Sequence, residues 1–564
     1  MMGKTIRSDM TTGHESSAYS GALRKCLSYI TCLYCVVLFF FLPLVFHDKY
    51  FDIGRFKYDF FFYSTAALLI SCFLLLAAGL ILKLSRRETE LLSVLKRLGS
   101  ISAVDKAVLA YALICLISFI ISPYNTGSLS LKNGANPPLT GYPGWNMGLI
   151  SQLFFAGIYF ITSRFADRAC RRIIMGALFA GSLLTFIIGI LNRFSIDPLG
   201  FYEGVSDYHR LLFLSTLGQA TWYSSFLCTL LPVSLALFIY ERRNRYRCFY
   251  ALYIATASMS LVTQNSDSAY AALSAALLVL FTFALERNNY FIRFFQLILI
   301  IFISFRVTGL LQLAFREKAV LPGALSMSLS TGIPFMVLTL ILTALYLVLS
   351  FLQIRYNFSL NRISFIRMAV LVFSGIAVVF CAAVLILTGN GVRVPFLEEH
   401  EYFVFNDDWG NGRGFTWRVT LEMFSGFPFL NKLFGIGPDC YAEYAYEYRS
   451  AQMKARWGSS VLANAHNEWL NMLFNLGIAG FTAYMSIFAA AFRGFISRRR
   501  ITALSIAGAA SIAAYLSHNF FCYQQVLCTP YIFAIIGICR AFERRHGGSR
   551  RVKDDSLSRS RVSG

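Results

Sequence analysis

The stretch Ala463-Asn464-Ala465-His466-Asn467-Glu468-Trp469-Leu470 marks where a long polar segment gives way to a strongly apolar one. A helix that opens near Asn467 carries His466 at its mouth, with water on one side and lipid on the other. The positive end of the helix dipole disfavours a protonated imidazole there, and a neutral ring can take a proton as a general base. Glu468 suits the same positive end and can orient a partner, with Asn467 supporting the turn. An isolated histidine at such a boundary is ordinarily an interfacial anchor, but the pattern around this one favours chemistry.

Asn411-Gly412-Arg413-Gly414-Phe415-Thr416-Trp417-Arg418 is a second constellation. Its two guanidinium forks can each grip phosphate oxygens bidentately, and the glycines that flank Arg413 let an anion approach. The alternative is that both arginines snorkel from an interfacial helix, with Trp417 anchoring it. A third group is Asp207-Tyr208-His209-Arg210, followed by Ser215 to Trp222. There Arg210 is a further cation for an anionic headgroup and His209 a reserve base. A capped helix entrance explains that segment equally well. No D-x-D triplet and no G-x-x-x-x-G-K-[ST] run occurs, so neither a metal–nucleotide-sugar clamp nor an ATP engine is expected, and no cofactor is assigned.

The elements that must position these residues are membrane helices. Of the 564 residues, 57% are apolar and 14% charged, against about 25% charged in ordinary soluble domains. Continuous apolar runs of roughly 20 residues, rather than alternating ones, exclude a barrel. The expected fold is all-α, a polytopic helical bundle of about 12–14 spans. Candidate runs are 27–46, 59–82, 107–122, 147–163, 173–192, 222–239, 248–263, 269–285, 294–311, 333–353, 368–387, 468–491, 501–517 and 521–539. The first resembles a signal peptide in following Arg24 and Lys25, but no small-residue cleavage site succeeds it, so it reads as a retained helix.

The net charge of +22 does not point to nucleic acid, because most Lys and Arg residues sit in short alternate loops. That is the positive-inside bias, and it suits anionic membrane lipids. It places both termini in the cytoplasm. The expected organisation is a cytoplasmic segment 1–26, a bundle 27–387 and a long extracytoplasmic loop 388–466. Helices over 467–539 and a basic, disordered tail 540–564 complete it. The loop is too long for a mere connector. An amphipathic helix is expected within Arg413 to Phe424, a turn at Pro428 and Gly435-Ile436-Gly437-Pro438, and a second polar helix over Tyr441 to Trp457. The 13 cysteines are scattered, and many, such as Cys32, Cys35 and Cys72, lie inside apolar runs and read as small apolar side chains; Cys522 and Cys528 flank a short loop and could pair.

The chain resembles the O-antigen ligase and polymerase family of bacterial envelope proteins. The resemblance rests on the large late loop, on Gly412-Arg413 with Trp417, Pro428 and Gly435-x-Gly437-Pro438, and on Ala465-His466-Asn467-Glu468-x-Leu470 continuing to Asn475-Leu476-Gly477-Ile478-Ala479-Gly480. It implies an inner-membrane glycosyltransferase that moves a glycan from a polyprenyl diphosphate to an acceptor hydroxyl, on a glycan or lipid, without metal or ATP. His466 is then the base or the group that orients the acceptor, and Arg413, Arg210 and Arg418 hold the diphosphate. Two departures stand out. Gln264-Asn265-Ser266-Asp267-Ser268 lacks the arginine often found after the equivalent serine, and fourteen runs exceed the usual twelve. Three rivals are a polymerase of lipid-linked repeats, a metal-dependent lipid-sugar transferase using Asp48, Asp52 and Asp59, and a transporter. The transporter is disfavoured because carboxylates deep in the apolar runs are scarce.

Overall fold

The computed structural model describes residues 21–85, 101–132, 134–356, 364–395, 397, 400–497 and 501–542. Each of the fourteen apolar runs lies wholly or mostly on a helix. They are α1 Gly21–Leu44, α2 Ile53–Ser85, α3 Ala103–Ile121, α4 Leu149–Phe165, α5 Arg171–Arg193, α6 Ala220–Tyr240 and α7 Asn244–Thr263. After them come α8 Ser268–Ala284, α9 Asn288–Ala314, α10 Ile333–Tyr356 and α11 Ser364–Gly389. The long loop contains α12 Trp409–Ser425, α13 Phe429–Phe434, α14 Tyr441–Tyr448 and α15 Ser450–Trp457. Last are α16 Glu468–Ile496, α17 Ala503–Asn519 and α18 Thr529–Phe542. Nine of these, among the described residues, are long and apolar enough to cross a membrane alone, and α4, α8 and α18 are shorter apolar helices. The protein is an all-α polytopic membrane protein.

Three points differ from the sequence reading in detail. The polar helix expected over Tyr441 to Trp457 is two helices, broken at Arg449 where φ is −132°. The last apolar run begins at 521 by composition, yet its helix opens only at Thr529, which leaves 520–528 as a loop. The tail expected from 540 keeps Arg540–Phe542 in α18, where Arg540 donates to Ser102 at 2.6 Å; residues 1–20 and 543–564 lie outside the described residues. A single small hairpin, Phe213–Leu214 with Gly218–Gln219, pairs in the register Phe213 to Gln219.

The helices bury a continuous core in which α17 packs on α6 and α8, and α16 on α3. Helices α10 and α11 are apolar all round and mostly exposed, so lipid must cover them. Several cations sit at helix C-termini, where unpaired carbonyls and the negative dipole end offset their charge. The buried Lys57 ammonium donates to Leu42, Pro43 and Val45 carbonyls at the end of α1. The buried Arg193 donates to Thr263, Arg210 and Leu211.

The long loop folds around its own apolar core, formed by Phe415, Val419, Met423, Phe427, Tyr441 and Leu462 with Phe474 of α16. Fully burying one such side chain contributes about 1.5–3 kcal/mol, so the loop is a fixed cap on this end of the bundle. Two glycines key it in. Gly435 ends α13 at φ 78° and Gly477 interrupts α16 at φ 68°. A Cβ at either would overlap the other segment's backbone: Asn475 and Leu476 for Gly435, Leu433 and Phe434 for Gly477. Only glycine adopts that conformation readily and leaves that space.

Candidate active site

Arg413 owes its position to the three residues before it. Gly410, Asn411 and Gly412 are all left-handed, with φ of 61°, 61° and 84°, which two glycines and an asparagine tolerate at little cost. Helical geometry resumes at Arg413. Its guanidinium donates through Nη1 to the Gly410 carbonyl at 2.6 Å and through Nε to the Phe521 carbonyl at 3.1 Å. Neutral carbonyls fix the fork, and no carboxylate lies within ion-pair distance among the described residues. Burial holds its pKa below the usual arginine range, partly offset by Cys522, Tyr523 and Asp267 nearby. An oriented cation short of a counter-charge is an anion site.

His466 is the residue before the N-cap of α16. Asn467 caps the helix, its Oδ1 accepting from the backbone N–H of Trp469 at 2.9 Å and of Leu470 at 3.1 Å. Asn464 accepts from the His466 N–H at 3.0 Å and Asn471 from the Ala465 N–H at 3.2 Å. This asparagine-braced turn holds His466 at φ 48°, a conformation a β-substituted residue keeps only when its surroundings impose it. The imidazole makes no hydrogen bond among the described residues; its neighbour is the Tyr523 ring, edge-on at 5.1 Å. Burial first, and the Arg413 charge second, push its pKa down to about 3. The ring is therefore neutral, as the sequence leads one to expect, but desolvation and the guanidinium are the causes.

The loop 520–528 joins these two residues, and the sequence reading missed it. Its Phe521 carbonyl holds Arg413, and its Tyr523 ring backs His466. The Tyr523 hydroxyl donates to Gln219 at 3.0 Å and accepts from the Trp222 indole at 3.1 Å. The segment after Arg210 thus reaches the site through Gln219 and Trp222. Beneath the loop runs a buried polar chain. His518 meets Ser224 at 2.9 Å and Ser225 at 3.1 Å, and also the Asn519 side chain at 3.1 Å. Asn519 donates to Glu468, which also accepts from Tyr484 at 2.5 Å and Tyr515 at 3.1 Å. Glu468 is 1% exposed and is held by three neutral donors rather than by a cation, so it braces the loop from below.

The remaining candidates are placed as follows. Arg418 is gripped by Asp407, at 3.0 and 2.7 Å, and by Glu422 at 2.9 Å; those carboxylates raise its pKa and satisfy its fork. Arg210 lies at the same end of the bundle but is exposed, near Asp207 at 3.8 Å, and no interaction joins it to Arg413 or His466 among the described residues. His209 is exposed and meets Ser206 at 2.8 Å. Trp417 is buried in a cluster with Trp409, Phe405, Phe520 and Phe521. Cys522 and Cys528 are both free thiols. Asp267 accepts from Tyr402 of the long loop at 2.9 Å, which ties loop to hairpin beside Arg413.

Taken together, the geometry can bind an anion at Arg413 and accept a proton at His466. Residues 319–485, a span that includes both, match the family model described as O-antigen ligase, so the chain is similar to that family over those positions. No curated protein matches the chain.

Proposed function

We propose that the protein is a membrane glycan ligase. It transfers a saccharide from a polyprenyl diphosphate to an acceptor hydroxyl on the extracytoplasmic side of a bacterial inner membrane, with both termini in the cytoplasm. The observation that carries the reading is the pairing of a neutral, unbonded imidazole, His466, with a carbonyl-anchored guanidinium, Arg413, at one end of an apolar bundle.

The chemistry follows from those two groups. Sugar C1 bonded to diphosphate is already activated, so the barrier lies in charge that develops on the leaving phosphate. Arg413 meets that charge in a partly dry site, where such a donor is worth more than in water. His466 takes the acceptor hydroxyl's proton as the oxygen attacks C1. A pKa near 3 makes the free enzyme's imidazole a weak base, and the guanidinium is one reason. Diphosphate bound to Arg413 neutralises that charge and raises the basicity of the ring, so the base strengthens when donor is present.

The test is transfer by purified protein in vesicles from a polyprenyl-diphosphate glycan to a glycolipid acceptor. His466→Ala and Arg413→Gln should each abolish most transfer, and chelator should leave it intact. Chelator-sensitive transfer that survives His466→Ala would support the metal-dependent class instead.

A further inference from the structure

The loop between the short helix Pro137–Thr140 and α4 has no role in the chemistry above, yet it is built with care. Asp439, buried in the long loop, accepts through Oδ2 from the backbone N–H of Tyr142 at 2.9 Å and of Met147 at 2.8 Å. One carboxylate oxygen thus clamps both ends of the Tyr142–Met147 turn. What the turn presents is Trp145. Its ring stands edge-on to Tyr523 at 4.7 Å and to Trp222 at 6.0 Å, and Tyr523 in turn stands edge-on to His466.

Trp145 is half-buried, and its indole N–H makes no hydrogen bond among the described residues. Trp222 and Trp409 instead donate theirs to Tyr523 and Tyr402. Tryptophans at a membrane boundary commonly form a belt at the headgroups. This one is held by a buried carboxylate against the aromatic ring that backs the base.

We propose that Trp145, with Trp222 beside it, is the platform on which a pyranose ring stacks next to His466. The proposal rests on the transferase reading above and adds the sugar's seat to it. The C–H face of a pyranose is apolar and faintly positive, which suits the negative face of an indole. Its rim of hydroxyls calls for donors and acceptors, and the Trp145 N–H supplies one such donor. The ring can belong to the donor's first sugar or to the acceptor.

The test is equilibrium binding to the full-length protein with two pairs of probes. One pair is undecaprenyl diphosphate with and without a single N-acetylhexosamine; the other is diacylglycerol with and without a single hexose. Trp145→Ala should weaken the sugar-bearing member of one pair by roughly tenfold or more. The bare lipids should bind as before, and Trp145→Phe should keep most of the affinity. The pair that responds identifies the source of the ring. The proposal is overturned if both sugar-bearing probes bind Trp145→Ala like the unaltered protein, or if bare undecaprenyl diphosphate weakens in parallel. If the unaltered protein and Arg413→Gln bind bare undecaprenyl diphosphate equally poorly, the diphosphate reading fails and the sugar platform falls with it.

Discussion

The Tyr523 and His466 rings meet edge to face, with centroids 5.1 Å apart and planes at 85°, while Gln219 and Trp222 fix the Tyr523 hydroxyl. The imidazole is therefore oriented by packing and not by a hydrogen bond, which leaves both its nitrogens available. Tyr523→Phe keeps the ring and loses only the two hydroxyl contacts, so transfer should fall less than about tenfold. Tyr523→Ala removes the support and should cost more. Equal rates for the two variants would show that the ring does not position the base.

His466→Ala should lower the transfer rate by about 10²–10⁴-fold, the usual worth of a positioned base. Affinity for the diphosphate should change little, because Arg413 is held by carbonyls that the substitution leaves alone. Initial rates and donor binding, measured on one preparation, separate the two effects.

Arg413→Gln should cost about 10²–10³-fold in rate. Arg418→Gln should leave transfer nearly unchanged, since Asp407 and Glu422 already occupy that guanidinium. Its loss should cost about 0.2–1 kcal/mol of stability, as for other exposed pairs. Rates for the two variants, compared side by side, check the contrast.

Two groups give stability opposite dependences on pH. The folded pKa of His466 is depressed from 6.5 to about 3. Its contribution is present above 6.5 and is lost as pH falls toward 3. Burial pushes Asp439 from 3.8 up to about 8, against the two amides that favour its charge. Its contribution is present below 3.8 and is lost as pH rises toward 8. His466→Asn should reduce the acid-side loss and Asp439→Asn the alkaline-side loss. Thermal midpoints in detergent from about pH 4 to about pH 9 read both.

Glu468→Ala removes the acceptor shared by Tyr484, Tyr515 and Asn519. The two tyrosine hydroxyls still meet each other at 3.2 Å and Tyr515 meets Thr529 at 3.1 Å, so the loss falls chiefly on Asn519, at about 1–3 kcal/mol for an orphaned buried group. Glu468→Gln retains one acceptor oxygen and should be milder. The thermal midpoints of the two variants should rank in that order.

Much of this site is legible in the sequence, and each part for a local reason. Asn467 is a strong helix cap followed by an apolar run, so the position of His466 follows. Glycines around Arg413 announce an unusual backbone. The loop 520–528 is hidden because Phe520-Phe521-Cys522-Tyr523 is apolar by composition and merges with the helix after it. Nothing local says that its Phe521 carbonyl and its Tyr523 ring are needed elsewhere. Arg210 shows the converse. Its charge is evident, but whether it faces Arg413 depends on tertiary packing, and its near partner is Asp207, three residues before it.

The crossing of Gly435 and Gly477 joins the cap to the helix that carries His466, main chain against main chain. Neither position can be rescued by shrinking a side chain on the other, because neither has one. Compensatory mutation is therefore closed to this pair, and any lineage that keeps the cap seated must inherit both glycines unchanged.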